Sequence, residues 1–392
     1  MPEAALQIPA ADTFRTSYGP ARVVDSVADF DAPLRERALA RHCKDLRYFE
    51  VIEGSLKGQF QQRYFVLENE KTGEVGVQPY FFVDQDLTAG LPGKFRGLLV
   101  KIRRRWPRFL VLRMLMVGCA AGEGQLDTEA PWFISALHEA LEIFRKRGEA
   151  SIILLKDFPR AYRSALQPFS SNGYRRVPSM PAAVLRLDFK SFEQYMTERL
   201  GKVFRKNLRR KFKALEEAPP LELEVMTDAT HLVDEIFPLY LQTFHRSEFK
   251  FEELTKEYFI MMGKLMPDRS RYFIWRQQGR IVAFSLCMVH EGVLYDLDVG
   301  LDYAVALDLH LYFVTWRDIV SWCLENGVGA YHTGPLNYDP KLHLRLDLAP
   351  QDLYARHASP LINPIFKIAI DFLQPARHER TLKEFRNAHE LA

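Results

Sequence analysis

The sequence predicts a mixed α/β fold that occurs twice along the chain, with a basic helix between the two copies. Residues 63–82 and 271–290 each have the pattern of a hairpin, with two apolar strands around a polar turn that contains glycine. Downstream of each hairpin an amphipathic helix ends at a glycine, Gly148 or Gly327, and a short strand follows. Because both halves share this order, we interpret them as a duplication.

Local patterns indicate the individual elements. Apolar residues recur every three to four positions over 132–147 and 311–326, which predicts two helices. The segments SIILL at 151–155 and GAYHTG at 329–334 follow them and are predicted strands. The first half closes at 172–189 with a glycine turn, a proline-bounded loop and an alternating strand.

The segment between the halves, TERLGKVFRKNLRRKFKALEE at 197–217, combines an apolar stripe at helical spacing with eight basic residues. We predict that the stripe packs on a domain and that its charges face an anionic donor or a membrane. Arg205 and Arg209 are its candidate donor-binding residues. The predicted domains are an N-terminal extension (1–21), a first domain (22–190), the basic connecting helix (191–218), a second and catalytic domain (219–358) and an amphipathic helical tail (359–392).

Composition excludes several classes of protein. A hydrophobic fraction of 47% with 12% aromatic residues argues for folded cores, and a net charge of +3 is too small for a chain that binds nucleic acid with its whole surface. Four scattered cysteines without a CxxC pair predict a reducing compartment and no structural zinc. Neither a secretory signal nor a membrane-spanning run is recognisable. We therefore expect a cytoplasmic protein, with peripheral attachment to the inner face of the membrane as an option.

Several of these segments resemble the GNAT acyltransferase superfamily, and more closely its tandem-GNAT branch of Fem-type aminoacyltransferases and FemAB-like relatives. The resemblance rests on the closing strand at 172–189, on FRKNLRRKFKALEE, and on segments 279–302 and 334–357. It covers roughly residues 22–366 and implies two tandem GNAT-like domains. It also implies transfer of an acyl group from acyl-CoA or another activated donor, used as a co-substrate, to an amine acceptor, with no permanently bound cofactor.

The strand VLYDLDVG at 293–300 is where the family places the backbone N–H that polarises the acyl carbonyl. Asp296 and Asp298 lie two residues apart on it, so in a regular strand both carboxylates face the same side. One of them is a candidate for the base that deprotonates the amine, or for a group that binds the ammonium. The alternative is a solvated edge strand.

The segment 331–357 is rich in groups that transfer protons or bind anions. His332 and His357 are candidate acid–base groups, and the resemblance places Lys341, in the loop YDPK, beside the acceptor. Tyr338 and Tyr354 are candidate acids for the leaving thiolate. Each of these residues has a structural role as its alternative.

Acetyl-CoA-dependent GNAT enzymes carry a glycine-rich loop at a helix N-terminus that cradles the pyrophosphate. The first half has GCAAGEGQ, in which Gly118, Gly122 and Gly124 match the glycine spacing. The second half has LDYAVALDLHL at 301–311, without glycine. This difference argues against ordinary acetyl-CoA and leaves a longer acyl-CoA, an acyl carrier protein or an aminoacyl-tRNA open.

Residues 94–113 carry eight basic residues and no acidic one, among apolar and aromatic neighbours. Such a run is a solvated surface, a contact for an anionic bilayer, or a contact for tRNA or CoA phosphates. Three functions remain open: an N-acyltransferase that acts on an amine, with a lipid amine such as a sphingoid base as one option; an aminoacyl-tRNA-dependent transferase that acts on a cell-wall precursor; and a non-catalytic scaffold that binds lipid or anion. The sequence carries no signal for the oligomeric state.

Overall fold

The computed structural model describes residues 12–86, 105, 111–216, 218–247 and 250–392. Most of the basic segment 94–113 lies outside these residues. Within them the strands are β1 Thr13–Arg15, β2 Pro20–Val24, β3 Gln61–Asn69, β4 Glu74–Asp86, β5 Val111–Val117, β6 Ile152–Pro159, β7 Arg175–Pro178, β8 Ala182–Arg186, β9 Leu221–Met226, β10 Ser270–Gln277, β11 Arg280–His290, β12 Val293–Leu301, β13 Ala330–Thr333, β14 Asp347–Ala349 and β15 Gln351–His357. The α-helices are α1 Ala32–Arg37, α2 Leu46–Ser55, α3 Pro131–Arg147, α4 Gln167–Ser171, α5 Phe192–Arg199, α6 Lys202–Glu216, α7 Val233–Arg246, α8 Lys256–Leu265, α9 Leu311–Glu325, α10 Tyr338–His343 and α11 Asn363–Leu373.

The first sheet has the order β1-β2-β3-β4-β5-β6-β15-β7 among the described residues. Its β3–β4 hairpin and the parallel pair β5–β6 carry a core that α3 covers. Pro131 begins α3, and Gly148 ends it in the left-handed conformation with φ of 73°. The predicted hairpin, helix and following strand of the first half are therefore confirmed.

The second sheet has the order β14-β8-β13-β12-β11-β10-β9 in the described part of the chain. One face packs against α9, α5 and α6, whose buried side chains belong to a single core. Helix α7 packs against the other face of β12 and β11. Gly300 permits this close approach, since a Cβ atom there would lie 2.6 Å from the backbone nitrogen of Tyr240. The mixed α/β fold with two sheets matches the prediction.

The structure divides the chain differently from the predicted boundaries. One compact unit comprises Met1–Leu39, Gly58–Arg176 and Leu353–Asp371, and the other comprises Ala40–Lys57, Val177–Asp352 and Phe372–Ala392. Strand β8, predicted to close the first domain, lies in the second sheet, and β15, predicted in the second domain, lies in the first sheet. An alternating apolar strand fits either sheet equally well, so its pattern cannot assign the sheet.

The predicted connecting helix at 191–218 consists of two helices, α5 and α6, which are separated at Leu200 and Gly201. Leu208 is fully buried in the second core, and Phe204, Phe212 and Leu215 pack against the same core. The apolar stripe therefore attaches α6 to the second unit. The predicted helical tail is shorter than 359–392, since only α11 is α-helical and the remainder forms three short 3₁₀ turns.

Candidate active site

The second sheet opens at the end of the pairing between β12 and β13. These parallel strands pair from Val293 with Ala330 to Asp296 with Thr333, whereas β12 continues to Leu301. Beyond Asp296 the backbone of β12 therefore leaves the ladder that it shares with β13. A strand edge of this kind offers N–H and C=O groups to a ligand.

A β-bulge lies at the same position. Asp296 pairs with Cys287 and Asp298 pairs with Leu286, so the two residues 296 and 298 oppose adjacent residues of β11, with Leu297 as the extra residue. Adjacent residues of β11 point to opposite faces, and their partners do the same. The prediction that Asp296 and Asp298 face the same side is therefore wrong, because the bulge shifts the alternation by one residue.

Asp296 faces the side of the sheet that α9 covers. Its carboxylate accepts hydrogen bonds from the Ser285 hydroxyl and the Tyr331 hydroxyl, both at 2.6 Å, and the Cys287 thiol lies 3.6 Å away. Burial raises the pKa of Asp296, and the hydrogen bonds from Ser285 and Tyr331 oppose that rise. The residue is thus the centre of a satisfied polar cluster in an apolar core, an arrangement that fixes side chains in place.

Asp298 faces the other side, where α7 and α8 pack. Burial raises its pKa to about 7, and the Glu252 carboxylate adds to the rise. Lys44 and a hydrogen bond from Tyr258 act in the opposite direction. The hydroxyl oxygens of Tyr258 and Tyr48 lie 3.2 Å apart, which extends the polar contacts toward α2. A carboxylate that titrates near neutral pH suits general-base chemistry.

His332 joins Asp298 on this face. Its ring centroid lies 5.3 Å from that of Tyr295, its partner in the β12–β13 pairing. Tyr295 is adjacent to Asp296 and therefore points away from it, to the face of Asp298. The structure thus places one predicted carboxylate and one predicted histidine on the same side of the sheet opening.

Lys341 and Tyr338 hold the loop that follows β13. The buried Lys341 ammonium donates to the carbonyl oxygens of Gly334 and Leu336 at 2.6 and 2.7 Å. Burial lowers the pKa of Lys341 to about 8, while the Asp296 carboxylate acts to raise it. The Tyr338 hydroxyl donates to the Pro181 carbonyl oxygen at 2.7 Å. These hydrogen bonds of Lys341 stabilise the loop. The loop is strained, because Leu336 and the adjacent Asn337 both have left-handed backbone conformations.

The other two residues predicted from this segment lie in the first unit. Tyr354 is buried in the first core, and His357 accepts the Ser359 N–H on its Nδ1 atom at 3.0 Å. Both belong to β15, which is a strand of the first sheet. Both residues thus belong to the first unit, whereas β12 belongs to the second, and their catalytic roles stay predictions.

In the first half, the glycines predicted to cradle phosphate form hydrogen bonds with other residues of the protein. The N–H groups of Gly118 and Gly124 donate to the carbonyl oxygens of Pro79 and Asp157, each at 3.0 Å. The Gly122 carbonyl oxygen accepts from the Lys156 ammonium at 3.2 Å. A Cβ atom on Gly124 would lie 2.4 Å from the Lys156 carbonyl oxygen. These glycines permit close packing of the loop on β6, and their role in phosphate binding stays a prediction.

In the corresponding loop of the second half, backbone N–H groups also donate to carbonyl oxygens of the protein itself. The N–H groups of Val305 and Ala306 donate to the Asp302 carbonyl oxygen, and that of Leu311 donates to Ala306. Helix α9 therefore begins with donors that the preceding turns already bind. This agrees with the absence of glycine between residues 301 and 311.

Arg205 and Arg209 contact α5 instead of an open anion site. Arg205 donates to the Thr197 carbonyl oxygen at 2.8 Å, and Arg209 forms an ion pair with Glu193. Both arginines thus connect α6 to α5 within the second unit, and their role in donor binding stays a prediction.

Several residues of the site escaped the sequence patterns. Tyr48 and Lys44 lie more than 200 positions from Asp298, and Ser285 and Tyr331 are ordinary strand residues. Only the folded sheet brings them to the two carboxylates. Among the described residues, no cluster of three or more His, Cys, Asp or Glu side chains has the arrangement of a metal site, and no described helix is long and apolar enough to cross a membrane.

A comparison with known protein families matches one family model to part of the second unit. Residues 202–341 match the family model described as an acetyltransferase (GNAT) domain. This stretch includes β12, the opening of the sheet and both carboxylates, so the second unit contains a GNAT domain and the protein is an acyltransferase. No curated protein matches the chain.

Solved structures support the fold. A structure described as FemX is 12% identical and has a TM-score of 0.52, covering 81% of this chain and 93% of its own. A conserved protein of unknown function from Bacteroides thetaiotaomicron VPI-5482 is also 12% identical with a TM-score of 0.51, covering 85% and 98%. The C-terminal domain of a putative lysylphosphatidylglycerol synthetase from Agrobacterium fabrum is 13% identical with a TM-score of 0.49, covering 86% and 96%. The first two show that the fold extends over most of the chain, as the predicted Fem-like GNAT branch requires.

Proposed function

We propose that the second unit joins an acyl group to an amine and that Asp298 is the general base. The amine nitrogen attacks the thioester carbonyl carbon, so a C–N bond forms, the C–S bond breaks and the thiolate leaves. The amine proton passes to Asp298 and then to solvent or to the departing sulfur. The observation that carries this proposal is a carboxylate with a pKa of about 7 at the point where β12 leaves β13.

The backbone of β12 supplies the second element of the mechanism. Beyond Asp296 its N–H groups lie outside the β12–β13 ladder and are suited to donate to the carbonyl oxygen that becomes negative during attack. His332 lies on the face of Asp298 and is suited to orient the acceptor. Asp296 and Lys341 act as positioning residues, since their polar groups are bound to other parts of the second unit.

We propose a longer acyl-CoA or an acyl carrier thioester as the donor and a lipid amine, such as a sphingoid base, as the acceptor. Two observations support this choice. In the loops that correspond to a pyrophosphate cradle, the N–H groups of Gly118, Gly124 and Leu311 donate within the protein, which disfavours a donor held mainly by that cradle. The chain also exposes large apolar side chains and carries a basic run at 94–113, as expected of an enzyme that works at an anionic membrane surface on the cytoplasmic side.

The test combines chemistry in vitro with lipid analysis in cells. The purified protein is incubated with acyl-CoA thioesters of increasing chain length, or with acyl carrier protein, and with a sphingoid base in detergent. N-acylated product from the wild type, and little from Asp298→Asn, is expected. Lipid profiling of a deletion strain should show loss of an N-acylated lipid.

Absence of such a product both in vitro and in the deletion strain would overturn the choice of acceptor. Retention of full activity by Asp298→Asn would overturn the role of Asp298. Ribonuclease treatment separates the donor classes, because an aminoacyl-tRNA-dependent enzyme loses activity when its donor is digested. Loss under that treatment would favour the aminoacyl-transfer alternative.

A further inference from the structure

Two polar side chains anchor helix α11 to the protein. The Asn363 side chain accepts the N–H of His357 at 2.9 Å and donates to the Gly173 carbonyl oxygen at 3.0 Å. Two turns later Asp371 receives a two-point hydrogen bond from Arg175, at 2.7 and 2.8 Å. These positions repeat at helical spacing and define one side of the helix. These two residues thus fix which side of the helix faces the protein, and the half-buried Phe366 lies on that side as well, with its ring centroid 6.0 Å from that of His357.

The opposite side of α11 is apolar and faces solvent. Leu361, just before the helix, is 88% exposed, and Ile365, Ile368 and Phe372 are 70%, 63% and 58% exposed. The spacing of four, three and four residues places these four side chains on one stripe. In most globular proteins an amphipathic helix buries its apolar stripe against the core of the same protein. A contiguous apolar stripe that points outward indicates an external apolar partner.

Size and charge favour a bilayer surface as that partner. Helix α11 has eleven residues and is about 16 Å long, too short to cross a bilayer but long enough to lie in its interface. Between residues 359 and 386 the five basic residues outnumber the three acidic ones. Arg377 is exposed, and its guanidinium lies 4.9 Å from the Phe372 ring, so a cation borders the apolar stripe. Cations beside an apolar helix face are attracted to anionic headgroups.

We infer that α11 is an interfacial docking helix, which inserts Leu361, Ile365, Ile368 and Phe372 among the acyl chains of an anionic membrane while Arg377 contacts the headgroups. Asn363 and Asp371 hold the helix in this orientation. None of these residues belongs to the proposed catalytic site. Membrane binding and acyl transfer can therefore be measured independently.

The test uses the full chain with phosphatidylglycerol–phosphatidylcholine vesicles and with pure phosphatidylcholine vesicles. We expect the wild type to sediment with the anionic vesicles and much less with the neutral ones. The variant Ile365→Ser/Ile368→Ser/Phe372→Ser should bind the anionic vesicles at least about tenfold more weakly, because three bulky side chains no longer enter the acyl region. Hydrogen exchange on the unmodified protein provides a second measurement, with slower exchange at 361–373 when vesicles are added.

The matched control is Val203→Ser/Leu307→Ser, which removes two apolar side chains that are 85% and 80% exposed on the second unit. This variant should bind vesicles like the wild type. Equal binding by the triple variant, or unchanged exchange at 361–373, would overturn the proposal. A lipid-free wild-type dimer that the triple variant converts to monomer would also overturn it, because the occupant of the stripe would then be a second copy of the chain.

Discussion

The environment of Asp298 explains how one carboxylate of the pair differs from the other. Both side chains are partly buried, but Asp296 receives two short hydrogen bonds from hydroxyl groups. Asp298 lies near the Glu252 carboxylate, which adds to the effect of burial and opposes the hydrogen bond from Tyr258, so the pKa of Asp298 reaches about 7. Two carboxylates two residues apart are thereby suited to different tasks, one structural and one catalytic.

Asp298 gives a prediction for the pH dependence of activity. The base must be ionised, so kcat/KM is expected to rise about tenfold per pH unit below 7 and to level off above it. Asp298→Asn should lower kcat/KM by about a hundredfold or more and remove this limb of the profile. Steady-state kinetics between pH 5 and 9 make the measurement. A wild-type profile that stays flat across this range would contradict the assignment.

The substitution Asp298→Asn, which should lower activity, should raise the stability of the folded state at neutral pH. The folded state binds a proton on Asp298 up to about pH 7, whereas an unfolded aspartate releases it near pH 3.9. Wild-type stability from this group is therefore full at low pH and is lost as the pH rises through 7. Asp298→Asn avoids the loss, so its stability relative to wild type should increase between pH 4 and 8, by an upper limit of about 4 kcal/mol. Urea unfolding at several pH values tests this.

At the scale of elements, the bulge in β12 sets the geometry of the site. One extra residue, Leu297, sends Asp296 to the α9 face and Asp298 to the α7 face. The bulge coincides with the end of the pairing with β13, so the change of face and the opening of the sheet occur together. Bulges commonly re-aim side chains in this way. Apolar alternation along a strand does not reveal them.

Substitutions in the glycine-rich loop after β5 are expected to lower stability and to leave donor binding unchanged. Gly124→Ala places a methyl group 2.4 Å from the Lys156 carbonyl oxygen and 2.7 Å from the Phe158 ring, and should cost about 1–3 kcal/mol of stability. The donor KM of the folded variant should stay at the wild-type value. Gly58→Ala is the control, because its Cβ atom meets nothing within 4 Å. A raised KM with unchanged stability would restore the phosphate-binding interpretation.

Helix α6 should be held by its apolar stripe more than by its charges. Leu208→Ala removes a fully buried side chain from the second core and is expected to destabilise by about 2–5 kcal/mol. Arg209→Ala removes an exposed ion pair with Glu193 and should cost less than about 1 kcal/mol. Chemical denaturation of both variants makes the comparison. Equal losses would indicate that the contact between α5 and α6 depends on charge.

At the scale of the whole molecule, each sheet contains a strand that lies far along the chain from the strands beside it. In the first sheet β15 lies between β6 and β7, and in the second sheet β8 lies between β14 and β13. Both are interior strands, so each supplies backbone hydrogen bonds on two sides. The folding of the first unit therefore requires residues beyond its main segment, Gly58–Arg176.

This arrangement predicts that the first half does not fold by itself. A fragment of residues 1–190 lacks β15, and with it Tyr354, a buried member of the first core. We expect the fragment to be insoluble or to unfold without a cooperative transition, whereas the full chain shows one. Circular dichroism during heating and two-dimensional NMR provide the measurement. A fragment with dispersed resonances and a sharp transition would contradict the prediction.

The sequence by itself determined the mixed α/β fold, its two hairpins and the helices α3 and α9, because helical periodicity, glycine stops and hairpin turns depend on neighbouring residues. The GNAT class came from the resemblance of several segments to that superfamily. The sequence also named Asp298 and His332 as candidates, and their catalytic roles stay predictions. Only the tertiary structure decided that the two aspartates point to opposite faces, that Tyr354 and His357 belong to the first sheet, and that α11 turns its apolar side outward. These features depend on strand pairing and on contacts between residues far apart in the chain, which local patterns do not encode.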